Sequence, residues 1–83
     1  MKKIILGIQI TNRVTRAPEI QKLFTQYGCN IKTRLGLHDV NDKSCSPAGL
    51  ILLEMFGEEE KILQMEMELK SFEGVKVQKM VFE

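Results

Sequence analysis

The sequence predicts an α+β sandwich in the order βαββαβ, on three observations. Hydrophobic periodicity alternates between two and 3.6 along the chain, the switches fall at proline, glycine or polar runs, and two segments are apolar on both faces, as interior strands are. With two right-handed crossovers this order gives a four-stranded antiparallel sheet, strand order 4-1-3-2, with both helices on one face, the ferredoxin-like arrangement. At 83 residues the chain suits one compact unit burying about 60–65% of its unfolded surface, which excludes a two-domain enzyme with an interdomain cleft.

Residues 3–10 alternate, with Ile4, Leu6, Ile8 and Ile10 on one side and Ile5, Gly7 and Gln9 on the other, a strand mostly uncharged on both sides and therefore read as central. The polar run TNRVTRAP follows. Pro18 fits the first turn of a helix, where its missing N–H has no partner, and Ile20, Leu23, Phe24 and Tyr27 carry that helix over 16–27, with Gly28 as its stop. From Cys29 the period returns to two, with Ile31, Thr33, Leu35 and Leu37 on one face and Asn30, Lys32, Arg34 and Gly36 on the other: a half-exposed edge strand. HDVNDKSCSPAG reads as a polar loop longer than a hairpin needs. GLILLEMFG is an interior strand with Glu54 as its one charged residue. Glu58, Glu59 and Glu60 open a second helix at the positive end of its dipole; Ile62, Met65, Leu69 and Phe72 form its buried stripe, and Gly74 ends it before the closing strand VKVQKMVFE.

Composition narrows the function classes. With 43% hydrophobic and 28% charged residues the chain is globular, not disordered, collagen-like or coiled-coil. A net charge of +1, 6% aromatic residues and no Trp give no nucleic-acid footprint, so no direct nucleic-acid partner is expected. Charge is divided along the chain: residues 1–42 carry seven basic and three acidic side chains, residues 43–83 five and eight, so the halves can attract each other within or between chains. The opening MKKIILGIQI is broken by Gln9, Asn12 and Arg13 and lacks a small-residue cleavage site, so it reads as a strand and not a signal peptide. No apolar stretch approaches the roughly 18 residues of a membrane span. A cytoplasmic protein without membrane contact is expected.

Both helices on one face leave the other face bare, and the sequence makes it apolar. Val75 and Val77 point one way in the last strand and Met80 and Phe82 the other; in the third strand both Leu50/Leu52 and Ile51/Leu53 are apolar. Whichever set faces the helices, the other needs a cover, since a contiguous apolar patch of several hundred Å² marks an interaction surface. Leu50, Leu52, Met80 and Phe82 are the candidate interface residues, and a homodimer or homotetramer is expected through sheet edges, sheet faces or both. The competing reading is a scatter of single surface apolar residues.

Chemistry-bearing residues are few. Cys29 and Cys45 lie on the order of 20 Å or more apart once strands two and three pair, so no intrachain disulfide is expected; Cys29, after a helix-ending glycine, reads as a small buried apolar residue. Cys45 shares its segment with His38, Asp39 and Asp42, donors suited to zinc, nickel or copper. One His and one Cys need these carboxylates or a second subunit to complete a site; the alternative is a solvated loop, and the cofactor stays open, with a transition metal as the candidate. EF-hand spacing fails at the sixth and twelfth positions, which removes calcium. A Cys45–His38 nucleophile pair has no orienting third group, so no catalytic residue is assigned and the chain is read as non-enzymatic. Asn12, Arg13 and Arg16 can hold an anion at the first helix N-terminus, or form a solvated turn. Glu58–Glu60 and the pair Glu66/Glu68 read as a solvated helix face, and Met65 and Met67 as core or interface packing. No C-x-x-C stands in the first loop for a metallochaperone, and an RNA-binding sheet would need stacking aromatics on strands one and three, where only Phe56 stands at an end.

The run LFTQYGCNIKTRLGLHD at residues 23–39 and the closing FEGVKVQKMVF resemble the small ACT-like regulators, in particular those associated with iron-only hydrogenase gene clusters. The resemblance covers nearly the whole chain. It implies a single ACT-like, ferredoxin-like domain over 1–83 that assembles through its sheet and senses a ligand or a protein partner. More distantly, His38 and Cys45 are similar in placement to donors in the metal-sensing domain of nickel-responsive repressors, with Gly36 and Arg34 where a further histidine would stand. TNRVTRAP lacks the glycine of amino-acid-binding ACT domains. With no DNA-binding arm ahead of the sheet, regulation would act through another protein.

Overall fold

The computed structural model describes residues 2–11, 16–40 and 45–83, and their side chains except at 37–40 and 45–48. Along the chain run β1 (Lys3–Ile10), α1 (Ala17–Gln26), a 3-10 turn (Gly28–Asn30), β2 (Ile31–Val40), β3 (Cys45–Met55), α2 (Glu59–Lys70) and β4 (Val75–Phe82). The strands form one antiparallel sheet in the order β2-β3-β1-β4. This is the expected 4-1-3-2 read from the opposite edge, an α+β ferredoxin-like fold.

Alternation along β1 and β3 sorts the sheet into two faces. Ile4, Leu6 and Ile8 of β1, Leu53 and Met55 of β3, and Val75 and Val77 of β4 are buried with Ile20, Leu23, Phe24 and Tyr27 from the α1 side and Ile62, Met65 and Leu69 of α2. Leu6, Ile8, Leu53, Met65 and Leu69 are closed off from solvent completely. Pro18 stands in the first turn of α1 as expected, and Phe72 packs against the core from beyond the end of α2. Thr11 ties the end of β1 to the turn before β4, its N–H and hydroxyl both donating to the Gly74 carbonyl at 2.9 Å. Among the described residues no helix is long and apolar enough to cross a membrane.

Three local expectations are corrected. Gly28 does not end α1 in a left-handed turn: the chain tightens through Tyr27 into the 3-10 turn, and the positive-φ glycines are Gly57 at 100° and Gly74 at 84°. Ile31 does not share a face with Thr33 and Leu35. It pairs with Met55 while Thr33 pairs with the adjacent Glu54, a bulge at Lys32 that turns Ile31 toward the helices and Thr33 and Leu35 to the open side. Residues 38–49 are not one long loop either, because β2 and β3 stay paired from His38↔Gly49 to Val40↔Cys45, across a second register shift. β3 spends four residues there against two of β2, and an irregularity of this kind accommodates Pro47, which has no N–H for a regular ladder.

The entry to α2 depends on Gly57. Asn30 closes the start of β2 onto the end of β3, its side chain donating to the Phe56 carbonyl at 3.0 Å and its own carbonyl accepting from the Phe56 N–H at 2.7 Å. A Cβ on Gly57 would sit 2.8 Å from the Asn30 amide nitrogen, at a φ that disfavours any side chain. Gly57→Ala is expected to cost about 1–3 kcal/mol, seen as a lower midpoint in urea denaturation. Gly28→Ala, where nothing lies within 4 Å of the added carbon, should leave the midpoint unchanged or raise it.

Candidate functional site

The sheet face away from the helices carries several exposed apolar side chains. Register fixes its rows: Leu35, Leu52, Gly7 and Gln78 run across the middle, flanked on one side by Thr33, Glu54, Ile5 and Met80 and on the other by Leu50, Gln9 and Lys76. Leu35, Leu50, Met80 and Phe82 are exposed, Met80 at 51% and Phe82 at 53%, while Ile5 and Leu52 are half-buried. The expected interface residues Leu50, Leu52, Met80 and Phe82 therefore share this one face. Gly7 leaves a shallow depression of about 370 Å³ at its centre, walled by Ile5, Gln9, Leu50, Leu52 and Met80 and, along β4, by Lys76, Gln78 and Lys79.

Among the described residues one carboxylate lies on this face, Glu54, and its own chain neutralises it. Glu54 accepts from the Thr33 hydroxyl at 3.0 Å and stands 3.4 Å from the Lys3 ammonium and 3.9 Å from that of Lys32. The Thr33 hydrogen bond, with Lys3 and Lys32, holds its carboxyl below the ordinary range. Lys2 joins Glu59 at 3.3 Å and Glu83 at 3.9 Å, so among the described residues four ion pairs connect the basic first half of the chain to the acidic second half.

The sequence reading misplaced Glu66 and Glu68, which are not a solvated pair. Glu66 is 6% exposed, between Lys79 of β4 at 3.0 Å and Lys70 at 3.3 Å. Burial pushes its carboxyl up, but the two lysines outweigh this and hold it below the ordinary range. Glu68 accepts from the buried Tyr27 hydroxyl at 2.7 Å; burial of the phenol, reinforced by the Glu68 carboxylate, pushes the tyrosine up to about 12. A signal for Glu66 was in the sequence: Lys79 has the parity of Val75 and Val77, and a lysine on the core-facing side of a strand needs a carboxylate above it. Two guanidiniums lie over aromatic rings, Arg16 at 5.0 Å from Phe72 and Arg34 at 4.8 Å from Phe24.

The other expected site residues are brought together only in part. Arg16 is exposed at the start of α1 and stacked on Phe72, whereas Asn12 and Arg13 lie outside the described residues. His38 and Asp39 belong to β2 and Cys45 to β3, in a hairpin that sets His38 opposite Gly49 and Val40 opposite Cys45; their side chains, and Asp42 altogether, lie outside the described residues. Among the described residues no group of three or more His, Cys, Asp or Glu is arranged to hold a metal ion. Cys29 is a free thiol, but an exposed one, because the 3-10 turn carries it outside the sandwich where a strand would have buried it.

No protein-family model matches the sequence, and no curated protein matches it significantly. Among solved structures, the uncharacterized protein TM1266 of Thermotoga maritima superposes with a TM-score of 0.81 at 20% identity, over 100% of both chains. A nitrogen regulatory PII-like protein from Thiomonas intermedia, solved with ADP, AMP and bicarbonate, is similar at a TM-score of 0.49 and 16% identity, over 100% of this chain and 94% of that one. At these identities the likeness is one of fold.

The Glu66 cluster makes stability depend on pH with a defined sign. A carboxyl held lower in the folded protein than in the unfolded chain stabilises fully above its unfolded value, about 4.3, and that stabilisation is lost as pH falls through the folded value. Glu66→Gln should therefore be less stable than wild type at pH 7 yet lose less stability between pH 7 and pH 3, as measured by urea denaturation across that range. Parallel pH profiles for the two proteins would contradict the assignment.

Proposed function

We propose that the protein is a non-enzymatic, oligomeric, ACT-like regulatory or ligand-sensing module of the cytoplasm, formed by one domain over residues 1–83 and acting through protein partners. The observation that carries this reading is the apolar open face, with Leu35, Leu50, Met80 and Phe82 exposed on one side of one sheet. A surface of this kind on a small chain is costly to leave in water and useful as an interface. The resemblance of residues 23–39 and 72–82 to the regulators associated with iron-only hydrogenase gene clusters supports the same class.

A second reading is a metal-binding accessory protein using His38 and Cys45 at a subunit interface, with Asp39 and Asp42 as further donors. The hairpin register favours it, since it sets His38 and Cys45 near each other on adjacent strands. Loss of bound transition metal in the doubly substituted His38→Ala, Cys45→Ala protein, measured by elemental analysis, is the expected outcome; unchanged metal content would remove this reading.

Native mass spectrometry of protein purified under reducing conditions, without chelator or affinity-tag nickel, tests the leading proposal. A dimer or tetramer of the 9.5 kDa chain is expected, and mass retained beyond the polypeptide would identify a sensed ligand or metal. A monomer at high micromolar concentration would overturn the oligomeric module.

A further inference from the structure

We infer that the depression over Gly7 is a binding site for a small apolar carboxylate that carries no amine. The apolar body of the ligand lies over Gly7 and its carboxylate meets Lys76, all within one chain. The inference rests on the ligand-sensing part of the reading above, and names the ligand class and the residues that take it.

Gly7 is not required by its own chain. Its φ lies outside the left-handed region, which among the described residues Gly57 and Gly74 occupy. A Cβ there would meet the Gln78 carbonyl oxygen and a Leu52 methyl at 3.7 Å, an ordinary contact distance. A glycine inside a central strand weakens it, and where the backbone does not call for one it marks the close approach of a ligand or another backbone. Here the missing side chain opens a depression of about 370 Å³, within the roughly 300–1,000 Å³ of small-molecule sites.

Register sorts the walls of the depression into an apolar part and a polar corner. Leu50, Gln9 and Lys76 form one row across β3, β1 and β4, Leu52, Gly7 and Gln78 the next, and Glu54, Ile5 and Met80 the third. Ile5, Leu50, Leu52 and Met80 thus surround Gly7 with apolar groups, while Gln9, Lys76 and Gln78 meet at one corner. These three side chains are exposed and make no hydrogen bond or ion pair with any described residue. Together they offer an ammonium and two carboxamides, donors suited to a carboxylate. Neighbouring rows lie about 6.6 Å apart, the reach of a short arm joining an aromatic ring to a carboxylate.

The charge pattern selects against an amine on the ligand. Among the described residues Glu54 is the carboxylate of this face; it stands at the corner diagonal to Lys76 and is already met by Thr33, Lys3 and Lys32. An α-ammonium beside the bound carboxylate would face the Lys76 ammonium with no unpaired carboxylate to receive it, and like charges at such range repel. An apolar acid is therefore preferred to the amino acid of the same skeleton.

NMR titration of the isotope-labelled 9.5 kDa chain tests this with three probes of one skeleton: hydrocinnamate, its neutral amide, and L-phenylalanine. Amide shifts should centre on Gly7, Gln9, Leu52 and Lys76, with hydrocinnamate binding more tightly than the other two. Lys76→Gln should weaken hydrocinnamate about 3- to 5-fold, the share of a solvent-exposed charge pair, and bring it level with the amide. Gly7→Val, which fills the depression, should weaken it at least about 10-fold. Should Gly7→Val fail to fold by circular dichroism, Gly7→Ala and the exposed Lys76→Gln carry the test. Absence of open-face shifts at millimolar hydrocinnamate would overturn the site. Equal binding of acid and amide, tighter binding of L-phenylalanine, or an unchanged Lys76→Gln would overturn the ligand class. Shifts at the same residues on raising protein concentration without a probe would give the depression to a second copy and overturn the inference. None of the probe failures changes the subunit count that native mass spectrometry reads. A monomer that binds hydrocinnamate in the expected way would uphold the site and remove the oligomeric part of the reading above.

Discussion

Side chains on a strand alternate strictly between its two faces, and with both helices on one side of the sheet this alternation decides everything else about the molecule. On β1 it sends Ile4, Leu6 and Ile8 into the core and Ile5, Gly7 and Gln9 to the opposite face; on β3 it buries Leu53 and Met55 and presents Leu52 and Glu54. An interior strand apolar on both sides can be satisfied from one side only by a single copy of this fold. The core is complete within the chain, and the second apolar face is its remainder.

The polar groups are satisfied differently. Glu66 meets Lys70 and Lys79, Tyr27 donates to Glu68, and Glu54 gathers Thr33, Lys3 and Lys32. Among the described residues no side-chain polar atom is buried without a hydrogen-bond partner. These contacts also set register. Lys79 reaches Glu66 only if β4 keeps its parity beside β1, and a slip of one residue would turn the lysine to the open face and strand the carboxylate. Their contribution is greatest as a constraint on which pairing forms, since exposed ion pairs such as Lys2–Glu59 add at most about 1 kcal/mol each.

The features legible in the sequence were those that depend on periodicity. Strand order, the interior position of β1 and β3, the stripe Ile62, Met65, Leu69, and the grouping of Leu50, Leu52, Met80 and Phe82 all follow from counting by two or by 3.6. What escaped depends on a single irregular residue or on a contact across elements. The bulge at Lys32 breaks the count within β2, so Ile31 parts from Thr33. Cys29 looked like a strand residue because nothing local distinguishes a strand start from one turn of 3-10 helix. Glu66 looked solvated because the helix is rich in glutamate, and its burial is explained by Lys79, thirteen residues later on a neighbouring strand, together with Lys70 one turn on. Residues 38–49 read as loop from composition, yet cross-strand pairing carries β2 to Val40 and β3 back to Cys45.

Where internal polar needs are met and the unmet one is an apolar face, the regulatory role proposed above would have a direct physical route. A small molecule or protein that binds assembled copies more tightly than separate ones shifts the association by its differential affinity, whether or not it enters a closed cavity. The depression over Gly7 is open in one chain and would be roofed between two, so the same residues that hold an interface would also shape whatever it encloses. Glu54 lies in a row beside that depression under Lys3 and Lys32, one on the neighbouring strand and one on the edge. A group that draws either lysine away would leave a carboxylate facing the apolar contact, and burying an incompletely paired charge opposes association. Any assembly of copies on this face would therefore be sensitive to charge at its rim.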